Sequence, residues 1–473
     1  MPPSDPPPAV VDLLGTGPGR AGFIERHALW DDAQYAAAAQ AQRVIDEHGI
    51  ELVRVCFADQ HGLLRGKTLT REAFTAALRG GTTAPSSLVL KDTSGRSVYP
   101  VFDGPALGMA GLTGAGDLVL VPDPITFRVL PWAPRTAWIL CDLHLPGGEP
   151  LAYSTRRTLR GQLDGLALRG LEMLVGLEVE FHVLRPGGEM LDAGGQLLLQ
   201  DDVDPLDDLV QVLRDGLVAL DLPLLSIEHE FGPSQLEVTF APQPALRAAD
   251  DLVLCRSAIK QLCRRQGLHA TFMCRPAIEG VVSSGWHLHQ SLVETDTGHN
   301  AFAGDELSGL GRAYLAGLLA HARAAAVFTT PTVNGYKRYR PMSLAPDRIL
   351  WGEDNKGAMI RVVGDPVTHL ENRSAEPAAN PYLAIASQVA SGLDGVDRGL
   401  DPGDPTDRPY ADDADRLPAS LMDALDALDA DPLFAAAFGA DVVAWISTLK
   451  RAEVTRYLEA VTDWEQREYY ELL

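Results

Sequence analysis

Apolar positions along this chain repeat with two periods, and the switch between them marks its organisation. Between Asp31 and His48, Tyr35, Ala38, Ala41 and Ile45 recur near the 3.6-residue spacing of one helix face. Asp31 suits the N-cap of that helix and Gly49 its C-terminal stop. From Glu51 the period falls to two: Val53, Val55 and Phe57 alternate with Leu52, Arg54 and Cys56 as far as Ala58. Ser97–Phe102, Leu118–Pro122, Phe127–Leu130 and Thr136–Leu143 read as further short strands, with Arg71–Leu78 the helical pattern among them. The pattern predicts a flexible Pro- and Gly-rich segment and lead-in over 1–30 and a helix over 31–49. It then predicts a small strand-rich domain over 50–147, ending at the turn Pro146–Gly148.

After that turn the elements lengthen. Helices are expected at Thr155–Arg169, Asp207–Leu220 and Pro244–Gln266, with one long helix over Leu307–Phe328. Strands are expected at Glu172–Leu184, Ser234–Phe240, Ala270–Cys274 and Ser284–Leu292. Asp394–Asp412, rich in Asp and Pro, reads as a loop, and Leu417–Leu473 as almost wholly helical. Residues 148–473 thus form a large second domain, and the fold class is α+β.

Composition narrows the function. Hydrophobic residues make up 46 % of the 473 and charged residues 22 %, proportions that exclude a mostly disordered chain. The net charge of −24 repels nucleic acid and anionic lipid, so neither is an expected partner. Five cysteines, an odd number without a CxxC pair, argue against a disulfide framework or zinc ribbon and for a reducing cytoplasm. No basic segment followed by an apolar run opens the chain, so no signal peptide is expected. His321 and Arg323 interrupt the most apolar stretch, Ala313–Phe328, so no membrane span is expected.

Five segments carry candidate chemistry. In Gly176–Phe181 a strand places Glu178 and Glu180 on one face, opposite Leu177, Val179 and Phe181; cations or open solvent would each account for that pair. In Glu228–Phe240 a Gly-Pro turn can return Glu230 to the side of Glu237, either as a site or as a hairpin with polar tips. His287, His289 and Ser291 share a strand face behind Ser283-Ser284-Gly285, an arrangement that favours ligation over structure. Asn334–Arg340, with Lys356 and Arg361, is a cationic group in an acidic protein, suited to carboxylate or phosphate or simply solvated. In Glu371–Arg373 acid and base share a face if the segment is extended, and Asn380-Pro381 reads as a helix start. Glutamates, a histidine and arginines together suit divalent cations and ATP-dependent activation of a carboxylate. No G-x-S-x-G or Walker A motif is present.

In this order the segments resemble the glutamine synthetase family. Phe57–Lys67, Gly176–Phe181, Glu230–Glu237, Gly285–Leu292, Asn334–Arg338, Glu371–Arg373, Ala379–Ala384 and the tail Val461–Tyr470 carry the resemblance, over roughly residues 50–473. It implies an N-terminal β-grasp domain and a glutamine-synthetase-type α/β catalytic domain. It also implies a cytoplasmic homo-oligomer, a dodecamer of two hexameric rings with sites between neighbouring subunits. The implied reaction uses ATP with Mg²⁺ or Mn²⁺ to make γ-glutamyl phosphate from L-glutamate, which ammonia or an amine then attacks. By motif, Glu180, Glu230 and Glu237 resemble ligands of one metal ion, and Glu178, His287 and Glu371 those of a second. His289 and Ser291 resemble nucleotide contacts, joined by Arg361 and Lys356. Arg338, Arg373 and Gly285 resemble the glutamate site, with Arg338, Arg361 and Lys356 in catalytic places.

Three departures shape the expected substrate. Ammonia-using members carry an acid where this chain has Leu344, which can neither attract ammonium nor take its proton. The stretch Arg338-Tyr-Arg-Pro-Met-Ser-Leu-Ala-Pro346 resembles the subgroup that makes γ-glutamylamides, including the γ-glutamylpolyamine synthetases. Lys356 stands where arginine is usual, and Ser283-Ser284 where Gly-Ser is usual. The expectation is a ligase of glutamate with an organic amine: a polyamine, ethanolamine, or an alkyl or aryl amine. Glutamine synthesis from ammonia, and a non-catalytic ring-forming relative, are the alternatives.

Overall fold

The computed structural model describes residues 21–103, 110–304, 307–340, 343–364 and 367–473; the expectations for 1–20 and the motif position Met342 lie outside the described residues. The chain divides into two compact units. The first comprises the residues up to Val89, Tyr99–Arg157 and Gly216–Asp221, and the second Leu90–Val98, Thr158–Asp215 and Leu222–Leu473.

The first unit is built on strands β1 (Leu52–Ala58), β2 (Leu64–Thr70), β3 (Thr82–Pro85), β4 (Asp117–Pro122), β5 (Arg128–Val129) and β6 (Thr136–His144). They run in the order β2-β1-β6-β4-β3, with β5 beside β6, and only β1 and β6 are parallel. Alternation fixes the buried face of β1, where Val53, Val55 and Phe57 are inside. The helix Asp32–Glu47 starts at a capping box, with Asp31 and Gln34 each accepting from the other's backbone N–H. Two expectations change here. Ser97–Phe102 forms only a single bridge, Lys91 to Ser97. The lead-in contains a short helix, Phe23–Arg26, and Phe23, Ile24 and Trp30 bury themselves against Val119 and Val121. Three large apolar side chains within eight residues outweigh the surrounding glycines.

The second unit holds β7 (Leu171–Leu184), β8 (Leu224–His229), β9 (Gln235–Pro244), β10 (His269–Thr271), β11 (Trp286–Glu294), β12 (Trp351–Glu353), β13 (Ile360–Val363) and β14 (His369–Ala375). Their order is β12-β13-β14-β11-β7-β9-β8, with β10 also beside β7. All pairs are antiparallel except β12 with β13. Helices Ala245–Arg265, Gly309–Ala320, Ala322–Thr329 and Pro381–Arg398 and four tail helices belong to this unit, with most of Thr155–Ala167 and Asp207–Val218.

The expected long helix over Leu307–Phe328 breaks at His321. There the backbone leaves helical geometry, and the two ring nitrogens engage Asp394 and Asp431 at 2.8 and 2.6 Å. The expected loop Asp394–Asp412 begins later, because Pro381–Arg398 stays helical until Gly399 caps it in the left-handed region. Gly317 and Gly395 let Gly309–Ala320 and Pro381–Arg398 approach backbone to backbone, since a Cβ at either would strike the other helix's main chain. Among the described residues no single helix is long and apolar enough to cross a membrane, and all five cysteines are free.

Candidate active site

Register in the second sheet gathers the chemistry. Glu228 on β8 lies opposite Glu237 on β9, which lies opposite Glu180 on β7. Two residues along β7, Glu178 pairs with His287 on β11; His289 pairs with Glu371 on β14, and Glu371 with Arg361 on β13. Opposite residues share a face, so one polar belt crosses six strands. Glu230 sits just past the last pair of the β8–β9 hairpin, its N–H bonded to the Gln235 carbonyl at 3.0 Å. It is Glu228, not Glu230, that lies directly across from Glu237.

The belt floors a cavity of about 220 Å³. Of the residues expected from sequence, Glu178, Glu180, Glu230, Glu237, His287, Arg338, Leu344, Lys356, Arg361, Glu371 and Arg373 line it. His289, Ser291 and Gly285 do not. His289 Nε2 lies 3.0 Å from a Glu178 carboxylate oxygen, and its ring meets that of His369 at a tilt, with centroids 5.1 Å apart. Ser291 is buried further along the same strand face. The Gly285 carbonyl accepts from Glu180 N–H at 3.1 Å, and a Cβ on Gly285 would run into the Arg338 guanidinium. Arg338 is itself anchored by a 2.9 Å bond to the Arg373 carbonyl.

Electrostatics divide the belt. Burial, then repulsion from Glu180, Glu178 and Glu230, pushes Glu237 up to about 10. Burial and Glu230 raise Glu180 to about 8. Burial also raises Glu230. On the other side burial again opposes ionisation, but hydrogen bonds from His287 and His289 hold Glu178 well below the usual carboxyl range. Glu371 is also lowered: His287, Arg373 and His289 outweigh its burial. Arg361 bonds it at 3.1 Å, and Arg373 makes a short ion pair with it. Burial and Arg373 bring His287 down to about 4, so its imidazole is neutral and free to ligate.

Oxygen donors crowded until their proton affinity rises, beside a neutral imidazole, are a donor set that a hard divalent cation satisfies. Two groups place their ligating atoms within 4.8 Å of one another: Glu178, His289 and Glu371, and Glu178, Glu237 and His287. This grouping differs from the sequence-derived division. Glu178 is shared, His289 joins the acids, and Glu180 and Glu230 belong to neither group. The reason is the register, which sets His289 opposite Glu371.

Several site residues were not singled out from sequence. Gln235 donates to Glu180 at 2.7 Å and to Ser284 at 3.1 Å, and Ser284 meets His182 Nδ1 at 3.2 Å, a buried chain that fixes Glu180. The signal for Gln235 was parity: it lies two residues before Glu237 on one strand. Glu228, Leu197, Leu198, Phe231 and Val282 also line the cavity. Three consecutive leucines, Leu197–Leu199, after a Gly-Gly pair were the visible cue for that loop.

Comparison with known proteins agrees with this geometry. Residues 152–469 match the family described as glutamine synthetase, catalytic domain. A γ-glutamylanilide synthase from Acinetobacter sp is 44 % identical, over 95 % of this chain and 99 % of that one. A γ-glutamylethanolamide synthetase from Streptomyces coelicolor is 34 % identical, over 89 % and 93 %. A solved GmaS/ADP complex superposes with a TM-score of 0.80 at 29 % identity, over 91 % of this chain and 99 % of that one.

Proposed function

The chain belongs to the glutamine synthetase family, and from that premise we propose that it is an ATP-dependent ligase joining the γ-carboxylate of L-glutamate to a primary organic amine. In the first step a γ-carboxylate oxygen bonds the terminal phosphorus of ATP and the bond to ADP breaks. In the second the amine nitrogen bonds the acyl carbon, the acyl–phosphate bond breaks, and phosphate leaves as nitrogen loses a proton. Arg338, Arg373 and the Gly285 segment would hold glutamate, and Arg361 and Lys356 the transferring phosphate. His289 and Ser291 would meet the nucleotide. Mg²⁺ or Mn²⁺ held by Glu178, Glu180, Glu230, Glu237, His287 and Glu371 would supply charge neutralisation for the phosphates.

The observation that carries this reading is one cavity holding the carboxylate belt, four cations and Leu344 together. A side chain without charge or proton acceptor suits an organic amine better than ammonium. The identity of 44 % with a γ-glutamylanilide synthase supports the same reading. As a member of this family the chain would work in the cytoplasm as a homo-oligomer, a dodecamer of two hexameric rings, with a β-grasp-type first domain.

Phosphate release from ATP tests the proposal, with Mg²⁺, glutamate and a panel of putrescine, spermidine, ethanolamine, isopropylamine, aniline and ammonium. Turnover that needs glutamate and an organic amine, with the γ-glutamylamide identified by mass, is the expected result. Turnover chiefly with ammonium would return the chain to glutamine synthesis.

A further inference from the structure

The rim of the cavity differs from its floor. Leu197, Leu198, Phe231, Val282 and Leu344 line it, and each keeps 40–50 % of its surface exposed. Large apolar side chains left open on the wall of a charged cavity do not serve the core; they mark a surface that a ligand covers. They come from four separate loops on one cavity, so the patch is not a by-product of a single apolar run.

These loops are held in place. The Gly195 N–H bonds the Phe231 carbonyl at 3.0 Å and the Leu198 N–H the His229 carbonyl at 3.2 Å, tying the leucine loop to the β8–β9 turn. Asp192 caps the start of that loop, accepting from Gly194 N–H at 2.8 Å and from Ser234 N–H. The carbonyl of Ala345, beside Leu344, accepts from the Tyr410 hydroxyl at 3.3 Å. Leu198 and Leu344 both adopt left-handed backbone, with φ of 58° and 57°. Leucine pays a steric cost there that glycine would avoid, and such strain persists where the side chain has a use.

We infer that the acceptor of this ligase is an apolar, weakly basic aromatic amine, received by a wall of Leu197, Leu198, Phe231, Val282 and Leu344; this rests on the ligase reading above. An aromatic ring covers the wall and removes its apolar surface from water. An alkylammonium or polyammonium group would lose hydration against the wall without gaining a partner there. Of the cavity carboxylates, Glu371 is engaged by Arg361 and Arg373, Glu228 accepts from Ser226 at 2.6 Å, Glu180 accepts from Gln235 at 2.7 Å, and Glu230, beside Phe231, accepts from the Phe231 N–H at 3.4 Å. An arylamine also arrives uncharged with its lone pair free. Its nitrogen bonds the acyl carbon, the acyl–phosphate bond breaks, and the single surplus proton leaves to the departing phosphate. No side chain must first deprotonate it, which fits Leu344 in place of an acid.

The test compares kcat/KM for aniline, putrescine, ethanolamine and ammonium, with hydroxylamine as a small trap for γ-glutamyl phosphate that needs no wall. Aniline is expected to exceed the charged amines at least tenfold in the native protein. In Leu344→Glu, and separately in the double variant L197A/L198A, the ratio of aniline to hydroxylamine kcat/KM is expected to fall at least tenfold. The exposed leucines of the double variant can be truncated without opening a core cavity, which guards against misfolding. Hydroxamate formation with a preference for putrescine, ethanolamine or ammonium would overturn this inference alone, as would an unchanged ratio in both variants. Absence of hydroxamate and of every amide would overturn the ligase reading and this inference with it.

Discussion

Replacing Glu237 by glutamine should make the metal-free protein more stable, although it removes a charge from the proposed metal site. Glu237 is 6 % exposed and lies among Glu180, Glu178, Glu230 and Glu228. Its carboxyl binds a proton up to about 10 in the folded chain, against an ordinary 4.5. The folded state therefore keeps a proton that the unfolded state releases, and stability falls as pH rises from the ordinary carboxyl range toward that raised value. At a pH of about 7.5 the gap is about three units, which at about 1.36 kcal/mol per unit sets a ceiling near 4 kcal/mol. The neighbouring acids share the repulsion, so about 2–4 kcal/mol is the expected gain from Glu237→Gln.

Unfolding entropy of about 2.1 cal/mol/K per residue, over a unit of about 320 residues, converts this to about 3–6 °C in Tm. Calorimetry with EDTA reads the gain directly, and titration with Mg²⁺ or Mn²⁺ then reads the metal-dependent rise. The variant should melt higher than the native chain without metal, lose most of the rise with metal, and show no advantage near pH 4.5. A lower metal-free Tm at pH 7.5 together with an undiminished metal response would refute the reasoning.

Other outcomes follow from single features. His321 is raised above the ordinary histidine value because Asp431 and Asp394 outweigh its burial. Its contribution is therefore full below about pH 6.5 and lost as pH climbs through the raised value, so the Tm gap between native protein and His321→Gln should narrow from about pH 6 to pH 9. Gly317→Ala should cost about 2–3 kcal/mol or more in denaturant unfolding, because its Cβ would meet the Ser391 carbonyl and the Gly395 backbone. Asp31→Ala removes the capping box of Asp32–Glu47 and should lower the stability of the first unit by about 1 kcal/mol, read by thermal unfolding. Gln235→Leu should reduce kcat for amide formation about tenfold, measured well below its melting temperature, since Glu180 loses the buried donor that orients it. The Gly232 N–H also loses its acceptor, so stability should fall by about 1–3 kcal/mol, and an unchanged kcat despite that fall would assign Gln235 a structural part alone.

What could be read from sequence was whatever obeys local periodicity. Strand parity placed Glu178 and Glu180 on one face, and an extended Glu371–Arg373 put acid and base side by side, as their ion pair shows. Asn380 before Pro381 announced a helix, and its side chain accepts from Tyr382 and Leu383 N–H. Register was not readable, because it depends on pairing between strands far apart in sequence. It set His289 beside Glu371 and Glu228 beside Glu237, changing the grouping of donors. Tertiary partners also overrode local pattern at His321, where two aspartates from elsewhere break a continuous helical signal. The leucine loop at 197–199 carried no period at all, and its meaning emerged only when the cavity placed it beside Phe231, Val282 and Leu344.

The most direct test is a one-pot competition: native protein, ATP, Mg²⁺ and L-glutamate with equal concentrations of aniline, putrescine, ethanolamine and ammonium, read by mass of the glutamate-derived products. The account predicts a γ-glutamylamide of an organic amine as the main product, γ-glutamylanilide foremost, formed one for one with ADP. Glutamine as the main product, or ADP released without glutamate being consumed, would contradict it.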